Sequence, residues 1–276
     1  MNEQSKCVIG LGGRLGNFMF KLAAGTYYAK KYNKIPYIHI GHHPAFDKQH
    51  ESYGKILKYP VYDGNLSSLT KVSEDEKFNF RELEYVDGDI RLDGCFESEK
   101  YFPDDDIVKD LYSIPDDIEI RIKSQFPDIN EYVGISIRLG DYFYHSRLFL
   151  MPEISWYMNM YEKYFHGRKA LIFSDDIDWC KNYFKHPDFI YYDNGHVGND
   201  LYNIPDPFLN LYTMGLCHHH ICSCSTWSWW GARVCEQADS INIFPDKRFT
   251  KSSGYMYDSY IPDRWIKEKA RYTNED

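Results

Sequence analysis

The sequence predicts an α/β protein built on parallel sheets, and three observations predict it. Between residues 133 and 244, short apolar runs alternate with amphipathic ones, the pattern of βαβ units. The chain opens on a strand, a glycine-rich loop and a helix across residues 7–31. Its 276 residues suffice for a large core in one or two domains.

The elements follow in order. Cys7 to Leu11 reads as a short buried strand, and Gly12-Gly13-Arg14-Leu15-Gly16-Asn17 as a tight loop. From Phe18 to Lys31 the spacing is helical, with Phe18, Leu22, Gly25 or Thr26, and Ala29 on one face. Tyr37 to Ile40 is a second strand. Residues 41–92 carry no clear period, and Pro60 interrupts them. Residues 103–113 and 116–126 read as helices. Strands are expected at Val133–Ile137, Ala170–Phe173, Phe189–Tyr192, His220–Cys222 and Ile241–Phe244. Helices are expected at Glu153–Phe165, Pro207–Cys217 and Thr226–Glu236. A further helix follows Ser174, read as its cap, with Asp175 and Asp176 in the first turn. The alternation places a domain boundary near residue 130.

Composition narrows the function. Apolar residues make up 43% and charged residues 26%, an ordinary globular balance. With 25 Tyr, 17 Phe and 6 Trp the chain is rich in aromatics; an aromatic core and a sugar-stacking surface both fit that. A net charge of −9 argues against non-specific nucleic-acid binding. No apolar run reaches the roughly 18 residues of a membrane span. Met1 to Lys6 is polar and lacks a signal-peptide core. Seven cysteines without framework spacing suit reduced thiols. A soluble, cytoplasmic protein is expected, at most peripheral to a membrane.

Four segments could carry chemistry. In the first, Gly12, Gly13 and Gly16 expose amides before a helix N-terminus, which suits an anion or a plain turn. The second is Ile135-Ser136-Ile137-Arg138-Leu139-Gly140-Asp141-Tyr142, at a strand's carboxyl end, where ligands of open sheets collect. Arg138 offers a fork of donors to a diphosphate, and Asp141 could act as a base or hold an acceptor hydroxyl. An Arg–Asp ion pair is the structural alternative. The third, Phe173-Ser174-Asp175-Asp176, could read a guanine edge or merely cap a helix. The fourth, Ser223-Cys224-Ser225-Thr226-Trp227-Ser228-Trp229-Trp230-Gly231, gathers hydroxyls at a helix start where a phosphate could sit. Beside it, Cys217, His218, His219, His220, Cys222, Cys224 and Cys235 look superficially like metal ligands. Their spacing fits no common zinc pattern, and alternation along a strand sends neighbours to opposite faces. No metal is expected.

These segments resemble glycosyltransferase family 11, the α-1,2-fucosyltransferases. Gly13-Arg14-Leu15-Gly16-Asn17-Phe18-Met19-Phe20 is similar to the family's G-R-L-G-N-Q-M-F opening. Gly94-Cys95-Phe96-Glu97-Ser98-Glu99-Lys100-Tyr101-Phe102 resembles its G-Y-x-Q-S-x-K-Y-F. Arg138 to Tyr142 resembles the end of H-x-R-R-G-D-Y, with Ser136 at the His and Leu139 at the second Arg. Phe173 to Asp176 matches F-S-D-D. Ser225-Thr226-Trp227-Ser228-Trp229-Trp230-Gly231-Ala232 resembles N-S-T-F-S-W-W-G-A, with Cys224 at the Asn. Pro262 to Trp265 resembles the closing P-x-x-W.

The resemblance implies a GT-B-like fold of two Rossmann-like domains. Residues 1–130 would form the acceptor side and 131–276 would bind the nucleotide sugar, with the donor site in the C-terminal domain and the cleft. It implies inverting, metal-independent transfer of L-fucose from GDP-fucose to a hydroxyl of a galactose-containing glycan, with no cofactor. Arg138 would bind the diphosphate and Asp175 or Asp176 would read guanine. Ser225, Thr226 and Ser228 would line the phosphate site, with Ser136 beside them. Gly13, Arg14, Gly16 and Asn17 would face donor sugar and acceptor. The alternatives are transfer of another nucleotide-activated sugar and a weakened glycan-binding homologue. With no anchor expected, the chain would resemble bacterial or viral members.

Overall fold

The computed structural model describes residues 4–40, 58–74, 77–193 and 206–274. The chain divides into two compact units, Met1–Ser113 with Met256–Pro262, and Ile114–Tyr255 with Asp263–Asp276. The division thus falls at residue 113, ahead of the expected 130, and a short later segment returns to the first unit.

In the first unit, strands β1 (Lys6–Leu11), β2 (Ile35–Ile40), β3 (Thr70–Ser73) and β4 (Ile90–Asp93) form a sheet of order β2-β1-β4-β3. Every pairing is parallel. Cys7, Val8 and Ile9 of β1 are buried on both faces, as expected of an inner strand of a parallel sheet. Helix α1 (Leu15–Lys31) starts three residues before the expected Phe18. It lies close on β1: a Cβ at Gly25 would stand 2.4 Å from Ile9 Cγ1. Lys30 and Lys31 complement the helix dipole in its last turn, and Asn33, at φ 52°, turns the chain into β2. Helix α2 (Asp105–Tyr112) follows, and Tyr112 Oη donates to the Met19 carbonyl of α1 at 2.7 Å.

In the second unit, helix α3 (Asp116–Gln125) precedes β5 (Val133–Ile137). Then come α4 (Gly140–Tyr144), α5 (Ile154–Phe165), β6 (Ala170–Ser174), α6 (Ile177–Tyr183) and β7 (Phe189–Tyr191). Next are α7 (Pro207–Gly215), β8 (His219–Cys222), α8 (Thr226–Arg233), β9 (Asn242–Pro245) and β10 (Ile266–Glu268). The six strands order as β10-β9-β8-β5-β6-β7, all parallel. The core gathers Val133, Ile135, Tyr157, Tyr161, Ile172, Ile221 and Ile243. Trp229 and Trp230 are wholly buried and meet edge to face at 4.9 Å, and Trp265 stacks on Phe244. Two tryptophans of the fourth motif are therefore core.

One feature of the order positions the site. From β5 the chain moves outward through β6 and β7, then returns with β8 on the other flank of β5. Strand order reverses between β5 and β8, and the crevice beyond the carboxyl ends at such a reversal is where open α/β sheets bind ligands.

Candidate active site at the sheet's switch point

Arg138 follows β5 directly and its side chain is 18% exposed. Its Nη1 stands 3.0 Å from Asp175 Oδ2, at the end of β6, and that carboxylate is 7% exposed. Asp175 Oδ1 accepts the Leu139 amide at 2.9 Å. Asp175 therefore uses both oxygens to fix the turn that carries Arg138. The sequence offers Asp141 as the acid of an Arg–Asp pair; the observed acid beside Arg138 is Asp175.

Asp176 does something different. Its Oδ1 accepts the Trp179 amide at 3.0 Å, so Asp176 is the N-cap of α6. The expected cap, Ser174, is still in strand β6, and its Oγ accepts the Asp176 amide at 3.0 Å. The cause is simple: β6 runs one residue further than its apolar run, which shifts the helix start to Ile177. Asp176 is exposed.

Beyond β8, the hydroxyls of the fourth motif converge. Ser225 caps α8, accepting the Ser228 amide at 3.1 Å. Ser228 Oγ also meets Ser136 Oγ at 2.7 Å, Ser223 Oγ at 2.9 Å and Ser225 Oγ at 2.6 Å. The Ser223 amide donates to Ser136's carbonyl at 3.0 Å and approaches its Oγ at 3.3 Å. Ser136, Ser223 and Ser228 are buried; Ser225 is partly exposed. A hydroxyl offers one donor and two acceptor sites, so three neighbours fill Ser228. This quartet welds β5 to α8 and sets the α8 N-terminus beside the end of β5. Ser136 and Ser228 are bonded to one another within this quartet, and Ser225 and Thr226 stand at the helix start.

A stack of rings supports the arginine. Tyr142 Oη donates to the Cys224 carbonyl at 3.1 Å. The Tyr142 ring lies 5.9 Å from Arg138 Cζ and stacks on Phe149 at 4.4 Å, with planes 6° apart. Buried Arg248 lies 5.8 Å from the Phe149 ring and 4.8 Å from that of Phe249. Phe149 and Arg248 carried no sequence signal, because they sit in irregular segments about a hundred residues apart. Asp141 belongs to α4, and its side chain lies outside the described residues.

Gly13, Arg14, Gly16 and Asn17 belong to the first unit. Gly13 adopts φ +87°, and a Cβ there would meet Asn17 Cβ at 2.9 Å, so the turn needs glycine on both counts. Arg14 is the N-cap residue of α1, with no side-chain cap bond, and Gly16 is buried within the helix. Asn17 Nδ2 donates to Glu97 Oε1 at 2.9 Å.

The histidines and cysteines beside β8 are occupied elsewhere. Both ring nitrogens of buried His220 have partners, Asn242 Oδ1 at 2.8 Å and the Met214 carbonyl at 2.9 Å. His219 Nδ1 accepts the Ile241 amide at 3.1 Å, and burial lowers its pKa to about 4. Burial raises the Cys217 and Cys222 thiols well above their usual range. Among the described residues, no three or more His, Cys, Asp or Glu side chains are grouped to hold a metal ion. No helix among them is long and apolar enough to cross a membrane.

Comparison with solved structures defines the class. The α-1,6-fucosyltransferase NodZ, co-crystallised with GDP, superposes with a TM-score of 0.53 over 83% of this chain and 92% of that one, at 12% identity. NodZ from Bradyrhizobium gives 0.52 at 11% identity, over 83% and 92%. That likeness shows the fold: a GT-B-like α/β architecture. The family is then given by sequence. Residues 96–268 match Glycosyl transferase family 11, and the chain belongs to that family. An Escherichia coli α-1,2-colitosyltransferase is 24% identical over 226 residues, 77% of this chain and 72% of that protein. The E. coli O-antigen biosynthesis glycosyltransferase WbnK is 31% identical over 172 residues, 58% of this chain and 52% of its own length. The chain thus spans about half of WbnK.

Proposed function

We propose that this glycosyltransferase-family chain moves L-fucose from GDP-fucose to a hydroxyl of a galactose-containing glycan, forming an α-1,2 linkage. One observation carries the reading: a pinned arginine and a capped helix N-terminus meet at the switch point of a parallel sheet. An acceptor hydroxyl attacks the anomeric carbon, and the bond to the diphosphate breaks. The leaving group takes up negative charge, and fixed donors aimed at developing charge lower the barrier. Arg138 supplies a cationic fork and the first turn of α8, from Thr226, supplies amides with a favourable dipole. Both are held beforehand, by Asp175 and by the serine quartet, so little reorganisation accompanies bond breaking. No metal ion or cofactor takes part in this scheme.

In this reading Asp176 accepts from the guanine N1–H and N2–H₂ edge, because it is exposed while Asp175 is engaged with Arg138. Asp141 is the residue assigned to take the acceptor proton. Asn17 and its glycine loop attend the sugar side. The setting is the cytoplasm, with acceptors free or presented at a membrane surface.

A second reading has specific support. The relative matching the larger share of this chain is named an α-1,2-colitosyltransferase, so a colitose donor competes with fucose at the same site. The test is a donor screen with GDP-fucose, GDP-colitose and UDP- and CMP-sugars against galactosides, read by nucleotide release. Release from GDP-fucose supports the first reading, release from GDP-colitose alone the second. Release only from UDP- or CMP-sugars rejects both, and binding of glycan without release indicates a glycan-binding homologue.

A further inference from the structure

Glu74 lies at the end of β3, outside every motif, and is buried. Its two carboxylate oxygens accept the backbone amides of Cys95 and Phe96, the latter at 2.9 Å. The turn that it grips is crowded: a Cβ at Gly94 would stand 2.8 Å from Glu74 Oε1 and 2.9 Å from Phe96 Cζ. Phe96 adopts φ +53°, uncommon for a residue with a side chain. Such a conformation persists where its surroundings over-determine it. Here they do so through the two amide bonds to Glu74 and the edge-to-face contact of Phe96 with Tyr101 at 5.2 Å. The next residue, Glu97, holds Asn17 at 2.9 Å. After it, Ser98 Oγ donates to the Ser259 carbonyl at 2.5 Å, tying down the far side of the turn.

We propose that Glu74 is a positioning residue for sugar transfer: by gripping the Cys95–Phe96 turn it sets Glu97 against Asn17 and so fixes the glycine loop. The inference rests on the transferase reading, in which that loop faces the sugar. Glu74 acts through Glu97 and Asn17 and touches no reacting atom.

The grip depends on ionisation. Burial raises the Glu74 pKa from 4.5 to about 7, against the pull of the two amides; nearby Glu97 raises it further and Lys21 of α1 lowers it. Ionised, both oxygens accept at charge-assisted strength; protonated, one carries a hydrogen and accepts more weakly. Turnover should therefore rise with pH through about 7. Donor KM should change little, because Glu74 belongs to the first unit and Arg138 to the second.

The experiment combines two readouts on the full chain, wild type and Glu74→Gln. Amide NMR follows the Cys95 and Phe96 resonances with pH, and steady-state kinetics gives kcat and donor KM over the same range. In the wild type both amides should titrate together near pH 7, and Glu97→Gln should move that midpoint down by removing a like charge. Glu74→Gln should abolish the titration and lower kcat about tenfold while donor KM stays within about threefold, because only alignment is lost. A Glu74→Gln chain with wild-type kcat and pH profile overturns the proposal. So does a wild type whose two amides do not titrate, a result that stands even if Glu74→Gln fails to fold. A wild type that transfers no sugar is a separate failure, of the transferase reading, seen before any variant is made.

Discussion

Replacing Asp175 by Asn separates support of the arginine from recognition of the base. The carboxylate is 7% exposed, with Oδ1 2.9 Å from the Leu139 amide and Oδ2 3.0 Å from Arg138 Nη1. An amide side chain can keep the first bond, but then turns its NH₂ toward the guanidinium, donor against donor. The ion pair with Arg138 is lost, at a cost of about 1–3 kcal/mol. Breaking a fully buried pair costs roughly 3–5 kcal/mol, but Arg138 is 18% exposed and water screens part of its charge. The expected loss is about 2–3 kcal/mol, a fall of about 4–12 °C in melting temperature for a domain of 150–250 residues. The neighbouring change, Asp176→Asn, should melt within about 0.5 kcal/mol of wild type, because Asn caps helices as well as Asp. The assay is scanning calorimetry on both variants, with GDP and ADP isotherms. Asp175→Asn should weaken GDP and ADP alike, since it loosens Arg138, whereas Asp176→Asn should erase the preference for GDP. An Asp175→Asn protein that melts with wild type would refute the supporting role, and an intact GDP preference in Asp176→Asn would refute the reading role.

Four further outcomes are expected. Arg138→Ala should lower GDP affinity roughly ten- to a hundredfold, the worth of a charge-assisted bond of about 1.5–3 kcal/mol, in a fold that circular dichroism finds intact. Ser228→Ala leaves the hydroxyls of Ser136, Ser223 and Ser225 short of a partner, and should cost about 1–3 kcal/mol by urea unfolding. Glu74 binds its proton more tightly folded than unfolded, with a pKa of about 7 against 4.5. The stability it lends is complete below pH 4.5 and is lost as pH rises through about 7, about 3 kcal/mol in all; unfolding curves of Glu74→Gln should lack that slope. Transfer should persist in excess EDTA, and activity that disappears and returns with manganese or zinc would contradict the electrostatic scheme.

The second unit was the more legible in sequence. Its inner strands are short apolar runs buried on both faces, such as Val133–Ile137 and Ala170–Phe173, and parallel sheets produce such runs. Strands β3 and β4 escaped because Thr70–Ser73 is mostly exposed and Ile90–Asp93 alternates over only four residues. β10, with three residues at a sheet edge, left no period to read. In the candidate site, local motifs mark segments but not the partners that the fold gives them. Asp175 meets Arg138 across 37 residues and Ser136 meets Ser228 across 92; such pairings are fixed by strand order, which one sequence does not display. The Tyr142–Phe149 stack and Glu74 were illegible for the same reason: each functions through a contact that the fold alone creates.

The most direct test of donor and reaction is transfer itself. Purified chain is incubated with a galactoside panel and one nucleotide sugar at a time, and acceptor mass is followed by mass spectrometry. A mass gain of one deoxy-sugar residue is expected with a GDP-sugar, stoichiometric with GDP release, and a sharp loss of that gain in Arg138→Ala. No gain with any GDP-sugar, or gain only from UDP- or CMP-sugars, would contradict it.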